Sequence, residues 1–383
     1  MSARYRITLG IVLGLLACVP VLSILDGTGS GGSGPPEVVP GPLLSDCGGA
    51  IRELVIHYAS EAADVVVPTY RDFLRQLSAE VTVQVVCPDA ASFADLCDRV
   101  GPTECKLSAV TVDHPITCWS RDRWLALGDR SRESACRLLR PRGELGADTW
   151  PARQGDARVA DDLAAALGSG VTATRSELFF DGGDFVADDE TVFVTPAVLL
   201  RNLQRTVATR EELVERLAAI LQRKVVLLRE APEYHAGMYM MAVGDRTILL
   251  GDPAAAEKIL AGSPEVDVAS LCLPEGPDFS AATIARLDAV AEQCREAGYR
   301  VVRVPIVPGR DGRTYLTYLN VILEERDAAR IVYMPVFSQV EPLNRAAEQV
   351  WSQLGYEVHR INCDACHVHF GSLRCLVNVL RRG

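Results

Sequence analysis

From Cys47 onward, apolar and polar positions along the chain switch between two periods. Glu53–His57 (ELVIH) and Val81–Val86 (VTVQVV) are short apolar runs, the second rich in β-branched residues, and both predict strands. Between them, Asp64–Leu77 places Phe73, Leu74 and Leu77 at helical spacing in its second half. Ala91–Arg99 predicts a short helix and Ser108–Val112 a strand. The alternation continues with a helix at Asp156–Leu167, strands at Phe185–Val186 and Thr191–Val194, a helix at Glu211–Leu221 and a strand at Val225–Leu228. Met241–Gly251 reads as a hairpin turning at Gly244-Asp245. A long helix, Ala281–Ala297, leads to a strand at Tyr299–Val304. Tyr315–Leu323 and Arg330–Met334 predict a strand pair, followed by a helix at Pro342–Leu354 and a strand at Tyr356–Ile361. Cys375 opens a last apolar run that reads as a strand. The unit of strands, one helix and another strand recurs about five times, which predicts an α/β fold, although no repeat shows as sequence identity.

The N-terminus is different. Arg4 and Arg6 precede an apolar run, Ile7–Leu25, which fits a signal segment. Leu15-Leu16-Ala17-Cys18 resembles a bacterial lipoprotein signal, and an uncleaved N-terminal anchor fits equally. Either reading of residues 1–25 places the rest outside the cytoplasm, with the membrane met only through this segment. Residues 26–45, rich in Gly, Ser and Pro, read as a flexible linker. Composition does not break after Pro42, so residues 46–383 read as one domain.

The net charge of −11 argues against a nucleic-acid partner, which would want a basic face. It suits a cationic substrate, and simple solubility explains it as well. There are twelve cysteines. Leaving out Cys18 and Cys375, the even remainder together with an export signal predicts several disulfides.

Four polar stations stand at predicted strand ends: Trp119-Ser120-Arg121-Asp122, Asp181-Gly182-Gly183-Asp184, His235 and Cys375. Each is weak alone; their order carries the information. A free thiol has a pKa of about 8.5, so a thiolate nucleophile near pH 7 needs positive charge close by, from Arg374, a histidinium or a bound cation.

This order resembles the guanidino-group-modifying superfamily, the penteins, and the tail is similar to that of protein-arginine deiminases. Ser108–Asp122 resembles the family stretch ending in WxRD, and Phe180–Val186 its xEGGD segment with Asp181 in place of Glu. Tyr315–Asn320 (YLTYLN) and Ile331–Phe337 (IVYMPVF) are similar to its late strands, and Gly371, Cys375 and Asn378 to its terminal turn. The resemblance implies a five-bladed β/α propeller of ββαβ-type modules with pseudo-fivefold symmetry.

It further implies hydrolysis of a guanidinium to a ureido group and ammonia through a covalent thiouronium on Cys375. His235 would be the acid and base, and Asp122 the third catalytic residue. Asp184, Asp181, Trp119, Arg121 and Asn378 would contact substrate, which is an arginine-like small molecule or an arginine-containing protein. No metal or cofactor is expected, with calcium left open by analogy. One departure is clear: where the family has His-x-Asp, this chain has His235-Ala236-Gly237. Two alternatives stand beside this reading. One is a degenerate pentein that binds a guanidine or peptide without turnover. The other is a c-type haem or zinc site at Cys363-Asp364-Ala365-Cys366-His367, with His369 as a further zinc ligand.

Overall fold

The computed structural model describes residues 39–129, 136–143, 145 and 151–383. The predicted signal or anchor, residues 1–25, and most of the predicted linker lie outside the described residues. Among the described residues, no helix is long and apolar enough to cross a membrane.

Five sheets share one pattern. In each, a lead strand pairs antiparallel with the next strand, which then runs parallel to a third. The first contains β1 (Ile51–His57), β2 (Thr82–Cys87) and β3 (Lys106–Thr111), and its lead strand is the last of the chain, β18 (Val377–Arg382). The second is β4 (Leu125–Leu127), β5 (Cys136–Arg140) and β6 (Val171–Arg175). The third is β7 (Phe185–Ala187), β8 (Thr191–Val194) and β9 (Lys224–Leu227). The fourth is β10 (Met240–Ala242), β11 (Thr247–Asp252) and β12 (Arg300–Pro305). After the short pair β13 (Val307–Pro308) and β14 (Tyr315–Leu316), the fifth is β15 (Ile322–Arg326), β16 (Ala329–Val336) and β17 (Tyr356–Asn362).

Helices supply the parallel crossovers, as parallel strands require. Each buries one face. Ala63–Leu74 buries Val66, Tyr70 and Phe73, and Arg210–Leu221 buries Leu213, Leu217 and Leu221. Glu341–Gln353 buries Leu343, Ala347 and Trp351.

Several expectations shift. The helix expected at Asp156–Leu167 is two helices, Pro151–Asp156 and Val159–Leu167. At the end of the first, Asp156 turns inward, to accept from the Thr117 N–H at 2.8 Å and the Thr117 hydroxyl at 2.6 Å. Tyr315–Leu323 is not one strand: it breaks between β14 and β15, and Asn320 lies in the break. The end of the predicted linker is packed rather than loose. Leu43 is buried and bridges to Leu127, and the Leu44 N–H donates to Ala126 at 2.9 Å. Its leucines and Ser45 are therefore part of the fold.

The predicted stations take one position in the repeat. Asp122 precedes β4, Asp184 precedes β7, His235 precedes β10 and Cys375 precedes β18. Asn320 holds the corresponding place before β15.

Candidate active site

A cleft of about 700 Å³ is lined by Trp119, Asp122, Asp181, Asp184 and His235, with Tyr234 and Arg313 at its sides. Loops before four different sheets build it. Close packing makes this possible. Gly183 lies under His235, so that a Cβ there would be 2.4 Å from Nδ1. Gly371 lies under Trp119, where a Cβ would be 2.3 Å from a ring carbon.

His235 is buried and stacks on Tyr234, with ring centroids 4.5 Å apart and 15° between planes. Its Nε2 is 3.8 Å from Asp181 Oδ2 and its Nδ1 3.9 Å from Asp122 Oδ1. Neither His235 Nδ1 nor Asp122 Oδ1 has a hydrogen-bond partner. Burial pulls the imidazole pKa down, but interaction with Asp181 and with Cys375, and the charges of Asp122 and Asp184, hold it well above the ordinary histidine value. His235 is thus held as an imidazolium facing a sulfur.

Cys375 closes a short helical turn, Leu373–Leu376, and is 5% exposed. Its N–H donates to Ser372 O at 3.0 Å and to Asn320 Oδ1 at 3.3 Å, and its sulfur is 3.9 Å from that of Met238. Asn320 Nδ2 donates to Gly237 O at 3.0 Å, so one side chain ties the His235 segment to the cysteine turn.

The carboxylates are not empty. Arg153 Nη1 donates to Asp122 Oδ2 at 2.7 Å and Nη2 to Asp181 Oδ1 at 3.3 Å. Asp181 also meets Arg123 at 2.9 Å and Arg201 at 3.1 Å. Burial would raise the Asp181 pKa; His235, Arg201 and Arg153 instead hold it below the ordinary carboxylate range. Asp184 accepts from Thr195 Oγ1 at 3.0 Å, from the Asp181 N–H at 2.9 Å and from Arg201. Both of its oxygens are engaged. The three aspartates expected at the site therefore belong to an alternating cluster with three arginines.

Two expected substrate contacts are corrected. Arg121 and Asn378 face the interior: Arg121 Nη1 donates to Asn378 Oδ1 at 2.9 Å, and Asn378 Nδ2 donates to Trp124 O at 3.2 Å. They brace the Asp122 loop against β18. Sequence reasoning missed Asn320, Arg153, Arg201 and Tyr234. Asn320 was findable as the fifth occupant of the position before a lead strand.

At the departure, a Cβ on Gly237 would lie 3.4 Å from Asn320 Nδ2 and 3.5 Å from Arg374 Nη1. A carboxylate there would meet Arg374. In this chain Arg374 Nη2 instead contacts Asp46, a residue from the N-terminal segment.

The expected disulfides are absent among Cys87, Cys97, Cys105, Cys118, Cys136, Cys294, Cys363 and Cys366, all of which are thiols, as is Cys375. Most sit against strands in the core, where desolvation raises the thiol pKa, to about 12 at Cys136 and Cys294. Cys363 and Cys366 are fully buried, and both ring nitrogens of His367 face backbone carbonyls at 3.2 Å, Nδ1 that of Cys363 and Nε2 that of Leu271. The side chains of this motif are thus taken up by core packing and backbone carbonyls. Among the described residues, no group of three or more His, Cys, Asp or Glu could hold a metal ion.

A sequence model of the Porphyromonas-type peptidyl-arginine deiminases matches residues 56–379, and the chain belongs to that family within the pentein superfamily. Its α/β fold is that of the pentein deiminases. The C. jejuni agmatine deiminase with substrate bound is similar over 89% of this chain and 96% of its own, with a TM-score of 0.67 and 14% identity. The agmatine deiminase of Enterococcus faecalis is similar over 91% and 100%, with a TM-score of 0.66 and 13% identity. At such identity these likenesses speak to fold. No curated protein matches the chain.

Proposed function

We propose that this protein is a guanidine hydrolase that converts an arginine-type guanidinium to a ureido group and ammonia. The observation that carries the reading is the meeting of His235 with Asp122 and Asp181 at one cleft, its imidazolium interacting with Cys375. The Cys375 sulfur attacks the central carbon of the planar cation. The carbon–nitrogen bond breaks as His235 gives its proton to the departing amine, leaving a thiouronium on the sulfur. His235 then takes a proton from water, whose oxygen attacks the same carbon; the carbon–sulfur bond breaks, the thiolate returns, and the remaining hydroxyl proton passes to solvent as the ureido carbonyl forms. Asp122 and Asp181 orient the cation's N–H forks, and Trp119 walls the pocket.

Family membership favours an arginine carried on a peptide, and the cleft has room for more than a guanidinium. The repeated sheet pattern supports a pseudo-fivefold arrangement of modules. The apolar run Ile7–Leu25 supports a tether outside the cytoplasmic membrane. The test is ammonia release and ureido-product formation on arginine, agmatine, methylated arginines and an arginine-containing peptide, with Cys375→Ser as control. Turnover that survives in Cys375→Ser, or is lacking on every substrate, sinks the reading.

A second reading, binding without turnover, is favoured by one observation: Arg153 already bridges Asp122 and Asp181, and Gly237 brings no second carboxylate. Retained binding of agmatine with no product would decide for it.

A further inference from the structure

Beside the Cys375 turn, outside the lining of the cleft, lies a largely buried charge cluster that the reaction as described does not use. Asp46 stands at its centre. Its Oδ1 contacts Arg374 Nη2 and is 3.6 Å from Arg121 Nη2, and its Oδ2 accepts from the Ala187 N–H at 2.9 Å. The Asp46 N–H donates back to Ala187 O at 2.9 Å, which fixes the carboxylate to β7. Arg374 also donates to Phe185 O at 3.2 Å. Arg121 is bound to Asn378 and receives the chain at Cys375, its N–H donating to Cys375 O at 3.3 Å. One carboxylate therefore spans the segment before β4, the lead strand β7 and the cysteine turn.

We propose that Asp46 is a positioning residue: it holds the guanidiniums of Arg374 and Arg121 beside the cysteine turn and sets how much of their positive charge the sulfur feels. The proposal rests on Cys375 as the nucleophile. Two arginines adjoin the cysteine turn, and a single buried carboxylate is shared between them. Burial disfavours the Asp46 carboxylate, yet Arg374, Arg121 and the Ala187 N–H hold its pKa below the ordinary value. Burial and repulsion by Arg374 pull the Arg121 pKa down, and Asp46 and Cys375 oppose that. The Arg374 charge thus meets a carboxylate from the N-terminal segment at Nη2, while residue 237, whose Cβ would face Nη1, offers none.

Other charged and titratable groups face the sulfur from the packed elements: His235 and Tyr234 from the loop before β10, and Cys118 from the loop before β4. Cys366 faces it from the segment after β17. Behind Asp46, Arg382 donates to the Asp46 carbonyl at 3.0 Å, and Cys47 is the next residue. The Asp46 carboxylate meets Arg374 and Arg121, so its removal changes the balance at those two guanidiniums.

The test reads the thiolate directly. The full chain is treated with iodoacetamide over about pH 5 to 10, and alkylation is followed by mass on the tryptic peptide Cys375–Arg381. The native cluster of Asp46, Arg121 and Arg374 carries one net positive charge; Asp46→Asn raises this to two, and Asp46→Asn with Arg121→Gln restores one. Asp46→Asn is expected to move the alkylation midpoint down by roughly one pH unit. The double variant is expected to return it toward the native value. A purely structural role would lower melting temperature without moving the midpoint. A midpoint that stays or rises in folded Asp46→Asn overturns the proposal. Should Asp46→Asn fail to fold, Arg121→Gln alone is expected to raise the midpoint, and an unmoved midpoint there overturns it too. Alkylation does not require guanidine turnover. A shift without turnover counts against the hydrolase reading only, and turnover without a shift against the role of Asp46 only.

Discussion

Gly183 and His235 are in direct contact, backbone against ring. A Cβ built on Gly183 would lie 2.4 Å from His235 Nδ1 and 2.6 Å from Cγ, closer than real Cβ atoms come. Gly183 does not have a positive φ, so the demand on it is for space rather than for an unusual backbone. Its neighbour differs: a Cβ on Gly182 would lie 2.1 Å from Arg121 O, a backbone atom that cannot swing aside.

The two glycines therefore predict different phenotypes. Gly183→Ala should fold, displace the imidazole and lower kcat/KM by roughly 100-fold, the scale of a misplaced catalytic group. Gly182→Ala should chiefly lower the melting temperature. Thermal unfolding beside steady-state kinetics checks both. Equal loss of stability in the two would show that the ring contact has no special role.

On the proposed reaction, His235 is expected to set the alkaline limb of activity. Its folded pKa is raised above the ordinary histidine value by Asp181, Cys375 and Asp122. The imidazolium is therefore fully formed below pH about 6.5, and it is lost as pH rises through the raised value. The stability it contributes follows the same course. Activity is expected to hold through neutrality and fall on the alkaline side. His235→Gln should cut turnover by roughly 100- to 10,000-fold and abolish that limb. A pH–rate profile of the variant parallel to that of the native protein would assign the limb to another group.

Arg153 is expected to compete with substrate. Its guanidinium spans Asp122 and Asp181 much as an incoming cation must. Arg153→Gln, made in a Cys375→Ser background to prevent turnover, is expected to bind agmatine about tenfold more tightly, a change of about 1.4 kcal/mol. Calorimetric titration measures this. Weaker binding in the variant would mean that Arg153 assists the ligand rather than excludes it.

How far the sequence foretold this follows from where each signal lay. Strands of apolar, β-branched residues such as β2 were legible by pattern. The second sheet was not, because β4 has only three residues and β5 and β6 carry Arg and Thr among their few positions. The four stations were legible because glycine pairs, tryptophan, histidine and cysteine stand out beside strand ends. Asn320 was hidden inside what read as one continuous strand. Asp46 follows a stretch whose Gly, Ser and Pro content reads as a tether, and its partners lie 75 and 328 positions away along the chain. Arg153 left no pattern at all: an arginine near a short helix is ordinary until its partners are known. The cysteine count misled, since core packing rather than pairing accounts for most of the thiols.

Asp156 gives the last prediction, on stability against pH. The side chain is fully buried, accepts two hydrogen bonds from Thr117, and lies 3.7 Å from His57 and 3.9 Å from Arg153. Burial pushes its pKa up to about 7, against the pull of Thr117 and Arg153, with the Asp122 charge adding to the rise. The folded protein therefore holds a proton on Asp156 where the unfolded chain, with a carboxyl near 3.9, does not. From pH about 4 to about 7 the folded state binds more protons, so this group's contribution to stability declines as pH rises, by up to about 1.4 kcal/mol per unit. Asn at this position keeps the acceptor for the Thr117 N–H and offers N–H to the Thr117 hydroxyl, and it does not titrate. Asp156→Asn should thus unfold at a higher temperature than the native protein at neutral and alkaline pH, with the gap closing toward pH 4. Melting curves of the two proteins at matched ionic strength across that range test it. A constant gap would mean that Asp156 is ionised throughout, and that Arg153 and His57 stabilise its charge more than burial opposes it.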